Sequence, residues 1–121
     1  MIAILLLFAA CGGLGAALRY ILDTLLQERA RMHPALSIVL INALGSFLLG
    51  YFSADILEPS SITSLLIAFG CGGFTTFSTA SLDTSKLLRQ RAFTLAATHA
   101  FGQLALCVAL ASAGFFIAQR A

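Results

Sequence analysis

Asn42 and the hydroxyls of Thr76, Ser78 and Thr79 are the side chains in this sequence best suited to holding an ion or small solute. The hydroxyls fall inside Gly70-Cys71-Gly72-Gly73-Phe74-Thr75-Thr76-Phe77-Ser78-Thr79, where glycines weaken a helix and hydroxyls crowd a place that hydrocarbon would fill with leucine. Backbone that breaks at membrane depth persists only when it is buried in protein or lines a polar cavity. The run therefore marks an ion or solute site. Asn42 brings two N–H donors into an apolar stretch, which is expensive unless they are used and which suits an anion. Arg19 keeps its charge, so at a span it must snorkel, pair or face water. Beside a polar seam it draws small anions toward a narrow vestibule. Asp23, one turn later, offers the simpler reading of a helix-end ion pair.

The elements that must position these residues are membrane helices. The chain has 121 residues, 60% of them hydrophobic and 10% charged, a composition far too apolar for a soluble domain. Four apolar blocks cover residues 2–26, 36–52, 62–82 and 93–118, with short polar turns between them. A span needs about 20 residues, so three blocks are comfortable and the second slightly short. Residues 1–121 form one integral-membrane domain, with the glycine-rich run breaking the third helix. The first block is not read as a signal peptide, because residues 1–10 carry no Lys or Arg. Phe8-Ala9-Ala10-Cys11 faintly resembles a lipoprotein cleavage site, but the apolar run continues past it.

With four spans, Arg29, Arg31, Lys86, Arg89 and Arg91 share one side, which the positive-inside rule makes cytoplasmic. Arg120, Asp55 and Glu58 fall on the other side. The net charge of +2 gives no sign of nucleic-acid binding. Cys11, Cys71 and Cys107 lie in separate spans without metal-ligand spacing and read as small buried thiols. Small or polar residues recur at helical spacing as Ala9/Gly13/Ala17, Asn42/Ser46/Gly50 and Thr94/Thr98/Gly102, which favours close helix approach. His99, Gln103 and Cys107 form another stripe, with His99 read as a neutral histidine bonding between helices.

Three blocks in order resemble the signature of the CrcB/Fluc fluoride channels. They are Gly12-Gly13-Leu14-Gly15-Ala16-Ala17-Leu18-Arg19-Tyr20, Asn42-Ala43-Leu44-Gly45-Ser46-Phe47-Leu48-Leu49-Gly50, and Gly72-Gly73-Phe74-Thr75-Thr76-Phe77-Ser78-Thr79. The resemblance implies an all-α subunit of four transmembrane helices with a broken third, assembled as an antiparallel, dual-topology dimer in the cell inner membrane. It implies a passive, fluoride-selective channel that lowers cytoplasmic fluoride, and no enzyme. Fluoride is small and tightly hydrated, so donors must replace its water. Arg19, Asn42, Thr76, Ser78, Thr79 and Thr98 are assigned to the anion pathway, and Phe77 adds the positive edge of its ring. The family also implies a structural sodium ion held by backbone carbonyls, here those of Gly72 and Thr75 together with a second subunit's.

The match departs at Ala80, where many relatives carry a second phenylalanine, and in the fourth span, where Thr94 and Thr98 stand in for other polar residues. The one-sided basic loops favour a fixed orientation, so the partner is either a second copy or an oppositely biased paralogous chain. Three other readings differ in kind. A small multidrug-type, proton-coupled exporter needs an acid deep in the first span, and none precedes Asp23. An intramembrane hydrolase built on Ser78 and His99 lacks a nucleophile elbow and a third triad member. A non-conducting partner subunit of a heterodimeric fluoride channel is the reading that Ala80 favours.

Overall fold

A computed structural model describes residues 1–56 and 62–121. Glu58, one of the loop acids, lies outside the described residues. The helices are α1 (Ile2–Glu28), α2 (Pro34–Ile56), α3 (Ile62–Phe74), α4 (Phe77–Arg89) and α5 (Phe93–Arg120). Four stretches are long and apolar enough to cross a membrane: Ile2–Glu28, Pro34–Ala54, Ile62–Arg89 and Phe93–Arg120. The chain is a multi-pass membrane protein.

Local chemistry sets the helix ends. Pro34 opens α2, where its missing N–H costs nothing, and His33 Nδ1 accepts the Ala35 N–H at 3.2 Å as a cap. The turn before it uses a left-handed Arg31, φ 50°, and the turn before α5 a left-handed Arg91, φ 58°. At the start of α4, Thr76 is extended, φ −147° and ψ 120°, and its hydroxyl accepts the Thr79 N–H at 3.3 Å. Lys86 and Arg89 occupy the last turn of α4, where positive charge complements the helix dipole.

α2 is the centre of the bundle and touches every other helix, whereas among the described residues α1 reaches neither α4 nor α5. The core is small and partly polar: Ile41 and Ser37 are fully enclosed, and Asn42, Thr76 and Gln103 are buried. Large apolar side chains such as Leu5, Leu6 and Phe101 face outward, as lipid rather than water requires.

Glycines allow α1 to meet α3 and α2 to meet α5. A Cβ on Gly15 would sit 1.9 Å from the Gly70 carbonyl oxygen, and one on Gly50 would sit 1.9 Å from that of Ala111. The seam expected of Ala9, Gly13 and Ala17 is corrected here. Those residues are exposed, a Cβ on Gly13 would meet nothing within 4 Å, and the packing stripe is Gly12 and Gly15, one residue round the helix. Arg19 and Asp23 do not pair either. Asp23 accepts hydrogen bonds from Gln27 Nε2 at 2.8 Å and from the Ser37 hydroxyl, tying α1 to the start of α2.

Candidate functional site

Between α3 and α4 the chain passes through Thr75 and Thr76, and two side chains from other helices hold it there. Asn42 Oδ1 accepts the Thr76 N–H at 2.7 Å, while Asn42 Nδ2 donates to the Thr76 carbonyl at 2.9 Å. Extended backbone presents both groups outward, and one amide satisfies both. Left unpaired in an apolar interior, each would cost about 1–3 kcal/mol. Arg19 Nη1, from α1, donates to the Thr75 carbonyl at 3.3 Å. The Thr75 hydroxyl turns back to the Cys71 carbonyl at 3.2 Å.

These residues border a groove of about 490 Å³ between α2, α4 and α5. Asn42 and Ser46 line it from α2, Thr75 and Thr76 from the junction, and Phe77 stands at its edge, 88% exposed. Ser81, Thr84 and Ser85 of α4 and Gln103 of α5 complete a wall rich in hydroxyl and amide groups. The Asn42 amide keeps one N–H beyond the bond to Thr76, so donors converge from three elements. A larger cavity of about 660 Å³ lies among α1, α2 and α3, but its lining is leucine, isoleucine, phenylalanine, glycine and the thiols of Cys11 and Cys71, with Thr63 as its one hydroxyl among the described residues. That lining offers little to an ion.

The sequence-expected residues do not all converge. Asn42, Thr76 and Phe77 do, and Arg19 reaches the same junction from α1. Thr79 is half-buried and is hydrogen-bonded to the Thr76 hydroxyl at 3.2 Å, so it supports the junction rather than lining the groove. Ser78 is exposed and lies outside the groove wall. Thr98 is exposed and returns its hydroxyl to the Thr94 carbonyl at 2.8 Å, also away from the groove. Gln103, Ser81, Thr84 and Ser85 were not among the expected pathway residues. The stripe of His99, Gln103 and Cys107 was the available signal for Gln103, and the α4 hydroxyls had none beyond their type.

The two carbonyls expected to hold sodium can be tested by their surroundings. Gly72 is exposed, and a Cβ there would meet nothing within 4 Å. Among the described residues its carbonyl accepts a long 3.4 Å contact from the Thr75 hydroxyl. The Thr75 carbonyl already accepts from Arg19 through one lone pair, which weakens it as a ligand. Neutral oxygens are the donors a hard cation takes, so the pair fits sodium in kind. One chain supplies two such oxygens, and a full shell requires more.

A model of the family described as CrcB-like protein, Camphor Resistance (CrcB), matches residues 6–115. The chain belongs to the CrcB family. Among its relatives, the Fluoride-specific ion channel FluC of Thermus thermophilus is 42% identical over 113 residues, covering 91% of this chain and 90% of that protein. Fluoride-specific ion channel FluC 1 of Leifsonia xyli subsp. xyli is 36% identical over 117 residues, covering 94% of this chain and 85% of the relative. The FluC protein of Thermococcus gammatolerans is 35% identical and covers 93% of each. The CrcB match spans the Asn42–Thr76 junction and the groove beside it.

Proposed function

We propose that this CrcB-family chain is a subunit of a passive, fluoride-selective channel that exports cytoplasmic fluoride. The observation that carries the reading is the Asn42–Thr76 junction beside a donor-lined groove, in a chain whose relatives are named fluoride-specific channels. α3 and α4 act as one broken membrane helix. The break gives α4 its own N-terminus inside the membrane, a position that favours negative charge. Asn42 and Gln103 amides and the groove hydroxyls replace water around a dehydrated fluoride. Phe77 presents its ring edge, attractive to an anion yet weak enough to let it leave. Arg19 holds the Thr75 carbonyl and biases the region toward anions.

The working unit is an antiparallel dimer in the cell inner membrane, surrounded by lipid. Phe77 is almost wholly exposed in one subunit and needs a second surface to become a pore wall. The basic loops bias this chain's orientation, so its partner is a second copy or an oppositely biased paralogue. Gly72 and Thr75, with their counterparts in the second subunit, would hold a structural sodium ion. When bound, that ion supplies a fixed positive charge and a cross-link between the two junctions. Ser78, Thr79 and Thr98 are proposed to reach the pathway only through the assembled dimer, since none lines the groove within one subunit.

The physical task explains the parts. Hydrogen fluoride enters cells as a neutral acid and ionises in the less acidic cytoplasm, which traps fluoride. A selective leak driven by the membrane potential releases it without a nucleotide or coupling acid, so the protein performs no enzymatic chemistry. A bacterial host deprived of its own fluoride export provides the test. Expression of this chain should restore growth in fluoride at mildly acid pH, and failure of a well-expressed, membrane-inserted chain to do so counts against export. If it restores growth only when a paralogous chain is co-expressed, the heterodimer is the functional form.

A further inference from the structure

The larger cavity, among α1, α2 and α3, is set apart by where it ends. On α1 its lining includes Leu14, Leu18, Ile21 and Leu25, which share one helix face and are all exposed. The next position on that face is Arg29. It caps α1 in helical conformation, φ −89° and ψ −45°, with its N–H on the Leu25 carbonyl at 2.9 Å, so it continues the row. On α2, Leu44 and Leu48 line the cavity, and the exposed Leu40 and Leu36 carry their row on toward the same turn. That turn also holds Arg31. Both arginines are exposed, and neither has an ion pair or side-chain hydrogen bond among the described residues.

The row from Leu14 to Leu25 is about 16 Å long at the helical rise of about 1.5 Å per residue. That matches one leaflet, half of a hydrocarbon core about 30 Å thick. The cavity volume of about 660 Å³ is that of a small-molecule site, and left empty its walls would lose their packing contacts. The lining offers a guest no charge and little hydrogen bonding, so the part inside must be hydrocarbon. The end offers two guanidiniums, which bind phosphate through paired N–H donors. One kind of molecule meets both demands. We propose that the cavity holds one acyl chain of an anionic phospholipid whose headgroup phosphate rests on Arg29 and Arg31.

The other basic turn lacks this pairing of tail and head. Arg89 and Arg91 follow α4, whose neighbouring groove is walled by hydroxyl and amide groups, and Lys86 there already pairs with Asp83 at 3.6 Å. Glu28 is the one acid in the α1–α2 turn, and it leaves that turn net positive. A second copy of this chain is the competing occupant. Gly72, through whose carbonyl the proposed dimer acts, is two residues from both Gly70 and Phe74 of the cavity wall, so it lies on the other side of α3. The dimer therefore leaves this cavity to lipid. The inference needs only that the chain spans a membrane, and it stands apart from the fluoride reading.

The experiment is native mass spectrometry of the full chain, released from detergent with phosphatidylglycerol or with phosphatidylcholine of identical acyl chains. Phosphatidylglycerol should be retained in preference. Arg29→Gln and Arg31→Gln should each weaken that retention about fivefold, the effect of one arginine near an anionic lipid surface. Arg89→Gln and Arg91→Gln remove the same charge from the other turn and should retain the lipid as the wild type does. A phosphatidylglycerol with a diazirine at its chain end should cross-link near Leu14 and Leu44, deep in the cavity, and inorganic phosphate should not displace it. Equal retention of the two lipids, equal weakening by both pairs of variants, displacement by phosphate, or a cross-link confined to the turn overturns the site. A dimer that retains no lipid and gives no cross-link shows a second copy covering the cavity, and overturns it as well.

Discussion

One side-chain amide, that of Asn42, satisfies both the N–H and the C=O of Thr76, 34 residues away in sequence. The pairing copies a strand ladder with a side chain, and it lets the chain be extended between α3 and α4 without an orphaned backbone group. This structural role and the conduction role proposed above fall on one residue, and substitutions test both.

Asn42→Ala removes both bonds and should abolish or sharply reduce fluoride flux. Two orphaned backbone groups should also lower stability by about 2–4 kcal/mol. Denaturation of the purified protein in detergent checks this, and an Asn42→Ala protein of normal stability and flux would remove Asn42 from both roles.

Phe77→Ala should behave differently. Its side chain is 88% exposed in the subunit, so its loss leaves no core cavity there. Folding should be retained while fluoride flux falls at least about tenfold, corresponding to roughly 1.4 kcal/mol. Size-exclusion chromatography and an efflux assay on one sample decide the matter, and wild-type flux would exclude Phe77 from the pathway.

Gly50→Ala should destabilise the chain, because its Cβ would overlap the Ala111 carbonyl and force α2 from α5, at a cost of about 1–3 kcal/mol. Gly13→Ala and Gly102→Ala meet open space and should leave subunit stability unchanged. Equal thermal shifts for all three would contradict the packing described.

Gly72 tests the assembly. A Cβ there meets nothing in the subunit, so Gly72→Leu should leave the subunit folded yet impair the dimer and any dependence of its stability on sodium. A stable, sodium-dependent dimer of this variant would contradict the sodium assignment.

Much of this was legible in the sequence, for identifiable reasons. Uninterrupted apolar runs announced the membrane helices, and the glycines and hydroxyls of residues 70–79 pointed to the stretch where α3 gives way to α4. The partners were not legible. Asn42 looked like an anion ligand because an amide in hydrocarbon must be used, but the sequence could not show that a backbone uses much of it. Small residues four apart on α1 predicted close packing, yet Gly12 and Gly15 form that face while Gly13 looks outward, since spacing does not name the neighbour. Thr98 fell at a plausible helical position, and within one subunit its hydroxyl bonds its own helix. Gln103 and Thr84 acquired their place in the groove from the way α4 leans on α5, a tertiary fact.

The central claim is selective fluoride conduction, and efflux from liposomes containing only this purified chain tests it most directly. With fluoride and chloride followed in parallel, the account predicts rapid fluoride release, chloride retention, and loss of the fluoride signal in Phe77→Ala. Equal release of both ions, or no fluoride release even after a paralogous partner chain is added, would contradict it.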